Sequence, residues 1–333
     1  MNGLTSLAYR GYDSAGVAVW EGSDLVLRKA KGKIENLKDL LEASPVSGKS
    51  GIGHTRWATH GEPSDVNAHP HTDSHKTLAI VHNGIIENYQ HIKSMLVKNG
   101  CVFVSETDTE VVAQLLGYYY RGNAFTALKQ ALAMLEGSFA LAIIFADDPE
   151  TIYCTCKDSP MVVGHGNGES IVASDIPALL EYTRDVCFVQ DRQIAILRKS
   201  GIEFYDEFGA EIEKETLHVD WDIESAKKGN YEHFMMKEIC EEPDAFRKTY
   251  DQYVAKDFTL KSDRFPWDEA RAKALDRITI VSCGTAFHAG MLGKKFIEHM
   301  AKLRVDVDIA SEYRYGDHLI GKGEAFMVIS QSG

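Results

Sequence analysis

The sequence predicts an α+β domain of largely antiparallel sheets, followed by the opening of a parallel α/β sheet. Three observations carry this. Short apolar runs crowd residues 138–205, broken by turn residues and without a regular strand–helix–strand rhythm. Apolar residues at helical spacing are concentrated between residues 85 and 135. Towards the C-terminus, Arg277-Ile278-Thr279-Ile280-Val281-Ser282 leads into a tight turn, a helix and two further apolar runs, the pattern of parallel strand–helix–strand units.

Taken in order, residues 1–9 read as the end of a helix. Leu4 and Leu7 mark its apolar face, and no start signal precedes them. Tyr9-Arg10-Gly11-Tyr12-Asp13-Ser14-Ala15-Gly16 is a turn rich in small residues. Residues 17–20 and 25–30 form a hairpin through Glu21-Gly22-Ser23-Asp24, and residues 34–41 a short amphipathic helix. Ser50-Gly51-Ile52 is a short strand ending in a loop that presents Arg56. Residues 78–81 read as a strand and 85–97 as a helix, through Ile85, Ile86, Tyr89, Ile92 and Leu96. Thr107 and Glu110 fit a capping box for a helix over 109–120, and 124–135 is a further helix. Short strands follow at 138–145, 151–156, 161–164, 170–173, 186–189, 193–198 and 203–205. The texture changes over residues 220–265, with Lys227-Lys228-Gly229 and a charged helical stretch interrupted at Pro243, which reads as linker. Strands at 277–282, 305–310 and 326–330 enclose a helix over 286–301. A sheet ending at its third strand has open edges and an uncovered face, so residues 277–333 are expected to be unstable alone.

The 333 residues suggest about two domains. With 44% hydrophobic and 26% charged residues, a normal core needs no disulfide or metal. A net charge of −13 argues against nucleic acid or an anionic membrane as partner. Anionic small molecules remain open to a local Arg or a helix N-terminus. The six cysteines are scattered, there is no signal peptide, and no apolar run is long enough to span a bilayer, so the chain reads as cytoplasmic with reduced thiols. Cys154 and Cys156 fall on one strand face and read as small buried hydrophobes rather than a metal or redox pair. His69-Pro70-His71 with His75 lacks a carboxylate or Cys frame, and reads as a solvated loop rather than a metal cluster. Neither a metal nor a cofactor is expected.

The chemistry gathers in a few stretches. Gly53-His54-Thr55-Arg56-Trp57-Ala58-Thr59-His60-Gly61 combines flexible ends with an Arg fork that suits a carboxylate or phosphate. Its plainer reading is a surface Arg paired with a local carboxylate. Ala79-Ile80-Val81-His82-Asn83-Gly84 is an apolar strand running into Asn-Gly, and Ser105-Glu106-Thr107-Asp108-Thr109-Glu110 is a polar knot opening a helix. Cys283-Gly284-Thr285 at a strand end opens a helix whose free N–H groups favour a phosphate. Ser330-Gln331-Ser332-Gly333 ends another strand of the same sheet. Cys283 there is either a thiol of lowered pKa or a structural cysteine at a crowded turn.

These stretches, from Tyr9 to Gly16, His54 to Gly61, His82-Asn83-Gly84 and Thr107-Asp108-Thr109-Glu110, resemble the glutaminase domain of the glutamine–fructose-6-phosphate aminotransferase (isomerizing) family. Lys237-Glu238-Ile239 resembles its inter-domain helix, and Cys283-Gly284-Thr285 with Ser330-Gln331-Ser332-Gly333 the start of its sugar isomerase domain. The resemblance implies an N-terminal nucleophile hydrolase fold, a class II glutamine amidotransferase of four αββα layers, over residues 1–218. Residues 219–276 would be linker and connecting helices, and 277–333 the start of an α/β sugar isomerase domain. The implied activity hydrolyses L-glutamine to glutamate and ammonia, channels the ammonia, and converts fructose 6-phosphate to glucosamine 6-phosphate, the first step towards UDP-N-acetylglucosamine.

By the same resemblance Arg56 binds the glutamine α-carboxylate and Asp108 the α-ammonium, with Thr59 and His60 lining the pocket. Asn83 and the Gly84 N–H form the oxyanion hole. Arg10 orders the nucleophile's end of the chain, and Trp57 gates the ammonia channel or serves as a partly buried anchor. Thr285, Ser330, Gln331 and Ser332 hold the sugar phosphate. Two departures stand out. The family's nucleophile is an N-terminal Cys, whereas this chain opens Met1-Asn2-Gly3 at a point matching the family's first helix, and it stops within the first isomerase half. The chain is therefore expected to be a fragment truncated at both ends, without glutaminase activity, from a protein that is a homodimer at full length. The alternatives are a non-catalytic module binding glutamine or sugar phosphate, and an amidotransferase for another sugar phosphate.

Overall fold

A computed structural model of the chain describes residues 1–7, 11–22, 24–58, 60–220, 231, 233–261 and 268–330. Backbone contacts divide it into two compact units, Met1–Gly229 and Asn230–Gly333.

The first unit begins with α1 (Asn2–Ser6), the hairpin β1 (Ser14–Glu21) and β2 (Asp24–Lys31), and α2 (Ile34–Ala43). Then come β3 (Gly51–Arg56), β4 (His71–Thr72), β5 (Leu78–Ile86) and three helices, α3 (Tyr89–Lys98), α4 (Asp108–Tyr119) and α5 (Ala124–Leu132). A run of strands closes it: β6 (Gly137–Phe145), β7 (Asp148–Lys157), β8 (Val162–His165), β9 (Ser170–Ala173), β10 (Asp185–Phe188), β11 (Ile194–Arg198), β12 (Gly201–Tyr205) and β13 (Leu217–His218). The strands form antiparallel sheets in the orders β2-β1-β3, β13-β10-β8-β9 and β12-β11-β7-β6-β5-β4.

The layering follows from the period of two in β6. Phe139, Leu141, Ile143 and Phe145 point to one face and pack with Ile92, Leu96, Val112, Leu116 and Leu128 of the three helices. Ala140, Ala142 and Ile144 point to the other face and meet Ala18, Trp20 and Ile52 of the small sheet with Met161 and Val163. Helix α2 lies against β1 and β2. The result is helix, sheet, sheet, helices.

Several elements differ from the sequence expectation. Strand β5 runs through Ile86, pairing residue by residue with β6 from Leu78↔Phe145 to Ile86↔Gly137. The helix therefore starts at Tyr89 rather than Ile85, because cross-strand pairing outweighs the helical spacing of Ile85 and Ile86. Arg56 is not on a loop; it is the last residue of β3, opposite Ser14 of β1. Thr107 caps α4 by accepting the Glu110 N–H at 3.2 Å, but the reciprocal bond of a capping box is replaced. The Glu110 carboxylate accepts the N–H groups of Val104 at 2.8 Å and Ser105 at 2.6 Å, fixing the entry loop.

The second unit holds α6 (Phe234–Tyr253), α7 (Glu269–Lys273), β14 (Arg277–Ser282), α8 (Gly284–Ala301), β15 (Arg304–Ile309), α9 (Ala310–Tyr315) and β16 (Glu324–Ile329). Helix α6 continues through Pro243, where an interruption was expected. Proline removes one hydrogen bond of a ladder that spans 20 residues, and the bonds on either side persist. The three strands are parallel, in the order β15-β14-β16. Arg277 ties them together, its Nε 2.6 Å from Asp306 and its Nη1 3.1 Å from Glu324. Among the described residues, no helix is long and apolar enough to cross a membrane.

The buried core of the second unit is small, formed by Ile278, Ile280, Val305 and Ala325. Exchange protection follows local burial. Amides of β14–β16 are therefore expected to exchange well before those of β5–β7 in hydrogen-exchange mass spectrometry. Equal protection in the two sets would contradict the difference in core.

Candidate functional site

The site forms where β5 runs past its neighbour. Strand β4 pairs only with Ala79 and Ile80. Beyond that point, side chains take over the open edge. The His82 N–H donates to His69 Nδ1 at 3.5 Å, and the Ile86 N–H donates to Asp108 Oδ2 at 2.9 Å. Asn83 and Gly84 lie between these two anchors. Gly84 has a φ of +129°, and a Cβ there would stand 2.2 Å from the Ser138 carbonyl oxygen, so no other residue fits without moving the backbone.

Asp108 is brought to that edge by the first turn of α4, a sequence in which polar residues are buried: Thr107, Asp108, Thr109 and Glu110 are all under 5% exposed. The two threonines meet histidines expected to lie in a solvated loop. That expectation is wrong: His69 and His71 are only 5% and 3% exposed, while His75 is exposed. His69 Nε2 is 3.0 Å from Thr109 Oγ1, and His71 Nε2 is 3.1 Å from Thr107 Oγ1. His82 Nδ1 shares the Thr109 hydroxyl at 3.0 Å. The His54 ring packs on His69 with centroids 4.5 Å apart. Among the described residues, no group of three His, Cys, Asp or Glu side chains could hold a metal ion.

Arg56 is 4% exposed. Its Nη2 donates to the carbonyls of His60 and, at 3.0 Å, Gly61, which braces the loop after β3. Its Nη1 is buried without a hydrogen-bond partner. Asp13 braces the same loop by accepting the Ala58 N–H. His60 Nδ1 and His82 Nδ1 each lie 4.0 Å from Asp108 Oδ2, and the His60 ring meets Tyr89 edge-on at 4.9 Å. Trp57 is 60% exposed and stacks edge-to-face on Tyr12.

Arg56, Trp57, His82, Asn83, Gly84, Asp108 and Thr109 line one cavity of about 1140 Å³. Leu4, Leu7, Met161 and Val172 add apolar surface to its lining, and the strands β3 and β9 that border it are both sheet edges. None of the six cysteines lines it. Cys154 and Cys156 lie in the core between the sheets, where burial raises both thiols, Cys156 to about 12. Arg10 and Thr59 lie outside the described residues, as do Gln331 and Ser332. Thr285 and Ser330 sit at the C-terminal ends of the neighbouring strands β14 and β16, in register at Ser282↔Ile329. Cys283 is the exposed N-cap of α8, not part of a crowded turn.

The buried imidazoles link stability to pH. His54 is pushed down to about 3, first by burial and then by the charges of His82 and Arg56. Burial likewise holds His69 and His71 well below the ordinary imidazole value. Below about pH 6.5 the unfolded chain takes up protons that these folded histidines refuse. Their contribution is complete above that pH and is lost as pH falls towards 3, by up to about 1.4 kcal/mol per pH unit per histidine. The urea midpoint of the first unit should drop steeply between pH 6.5 and 5. A flat profile across that interval would contradict the buried, neutral assignment.

Residues 54–181 match the glutamine amidotransferase domain family. The whole chain matches glutamine–fructose-6-phosphate aminotransferases (isomerizing), at 49% identity in Caldanaerobacter subterraneus subsp. tengcongensis and 47% in Clostridium acetobutylicum. It covers 55% of each, so the chain spans about half the length of the curated relatives it matches. Among solved structures, a glutamine phosphoribosylpyrophosphate amidotransferase from B. subtilis shares the fold, with a TM-score of 0.56 at 21% identity, over 92% of this chain and 62% of that one. The chain carries a glutamine amidotransferase domain and is similar over its whole length to glutamine–fructose-6-phosphate aminotransferases (isomerizing).

Proposed function

We propose that the first unit binds L-glutamine in the cavity beneath β5. The observation that carries this is the convergence on one cavity of a buried cation with an unpartnered donor, Arg56 Nη1, and a buried carboxylate, Asp108. An α-amino acid presents the complementary pair of charges. Its carboxylate takes the free Arg56 donor and its ammonium takes Asp108. His60 and Thr59 flank the backbone of the ligand, and Arg10 orders the chain beside it.

The side-chain amide of glutamine then reaches Asn83 and Gly84. The alternation of an antiparallel ladder turns the Gly84 N–H to the same edge as the N–H groups of His82 and Ile86. Together with the Asn83 amide it would receive the oxygen of an amide under nucleophilic attack. Hydrolysis also needs a nucleophile. The resemblance assigns that part to an N-terminal Cys, and no cysteine of this chain lines the cavity.

The parent activity we infer is glutamine-dependent amination and isomerisation of fructose 6-phosphate, the substrates in the relatives' name. Residues 1–218 would be the amidotransferase domain, 219–276 its connection and 277–333 part of a sugar isomerase domain. There, Thr285 at the N-terminus of α8, with Ser330, Gln331 and Ser332, would hold the sugar phosphate.

Arg56→Lys tests the site. A single ammonium cannot both brace the His60 and Gly61 carbonyls and bind a carboxylate, as a guanidinium can. Glutamine affinity by calorimetry should fall by about 30-fold, corresponding to roughly 2 kcal/mol. Unaltered affinity in a folded variant would remove Arg56 from the site.

A further inference from the structure

The proposed function gives Asp108 to a substrate ammonium, yet two imidazoles of the protein stand 4.0 Å from its Oδ2, His60 and His82. A proton on the facing nitrogen of either would pair with the carboxylate internally and compete with the incoming cation. The hydrogen bonds around His82 bear directly on this.

The hydrogen-bond partners point to one order of donors and acceptors. The His82 backbone N–H can only donate, so His69 Nδ1 accepts it and the proton of neutral His69 sits on Nε2. That Nε2–H donates to Thr109 Oγ1 at 3.0 Å. The Thr109 hydroxyl has one proton to give, and His82 Nδ1, 3.0 Å away, is the acceptor it faces. His82 Nδ1 is therefore an acceptor, with its own proton on Nε2. His69, Thr109 and His82 are all at most 5% exposed, so water does not compete for these bonds. Burial also disfavours the imidazolium of His82, although Asp108 pulls the other way.

We propose that His69 and Thr109 are positioning residues that hold His82 as its neutral Nε2–H tautomer, keeping Asp108 free for the α-ammonium of an amino-acid substrate. The identity of the ligand rests on the glutamine reading; the tautomer does not. Without the Thr109 hydroxyl, His82 Nδ1 loses its donor and faces the carboxylate 4.0 Å away. A proton taken there makes an internal ion pair at the place where the ammonium binds.

The test is Thr109→Val, which keeps the shape of the side chain and removes the hydroxyl, beside Thr109→Ser, which restores it. Nitrogen-15 spectra of histidine-labelled protein report which ring nitrogen is protonated. Native protein should show His82 with a bare Nδ1, and the Val variant should show a protonated Nδ1. In the same variant, L-glutamine should bind about tenfold more weakly. Its des-amino analogue, 4-carbamoylbutanoate, should keep its affinity within about twofold, because it has no ammonium to lose. The Ser variant should recover both properties. An unchanged His82 tautomer in the folded Val variant, or equal losses for the two ligands, would overturn the proposal. A native protein with the expected tautomer that binds no glutamine would overturn the ligand reading instead.

Discussion

The edge of β5 beyond Ile80 is the constraint on which the site depends. A strand edge buried inside a domain must satisfy its N–H groups. Here β4 stops after two residues, and His69 and Asp108 take its place. Because Asp108 is fixed by the Ile86 N–H, the first turn of α4 is fixed with it. Because His69 is fixed by the His82 N–H, the chain through His71 is drawn inside and onto Thr107. The fold's own hydrogen-bonding requirement thus delivers a carboxylate and a row of neutral imidazoles to a cavity wall. Binding groups held this way are oriented before a ligand arrives.

The electrostatics follow from the same arrangement. Arg56 and Asp108 are both buried on one cavity, and Asp13 and Asp108 favour the guanidinium charge that burial opposes. Burial keeps His54 and His69 uncharged, so the buried part of the wall presents one cation and one carboxylate, while Lys49, Glu150, Glu169, Arg198 and Lys199 of the lining are closer to solvent. The chain as a whole is strongly acidic, which says little about this pocket. Local geometry sets what it can bind.

Much of the architecture could be read from the sequence because it is written in local patterns. The alternation in residues 139–145 marks a strand buried on both faces, and Arg277-Ile278-Thr279-Ile280-Val281-Ser282 is bounded by charge and turn at the limits observed. Arg56, Asn83, Gly84 and Asp108 were recognisable as motif residues, and they meet on one cavity. What stayed hidden depends on partners far along the chain. The reach of β5 through Ile86 is set by β6, some fifty residues away. The burial of His69 and His71 is set by Thr109 and Thr107, about forty residues on. A polar, proline-containing stretch looks solvated until its partners are known. One signal was available: Ser-Glu-Thr-Asp-Thr-Glu is too polar to open a buried helix unless other polar groups meet it.

The account's central claim is that Arg56 and Asp108 are the two ends of an amino-acid site. A crystal structure of the chain soaked with L-glutamine tests it most directly. The account predicts the α-carboxylate within hydrogen-bond distance of Arg56 Nη1, the ammonium on Asp108, and the side-chain amide at Asn83 and Gly84. Glutamine bound elsewhere, or bound in this cavity with Asp108 left untouched, would contradict it.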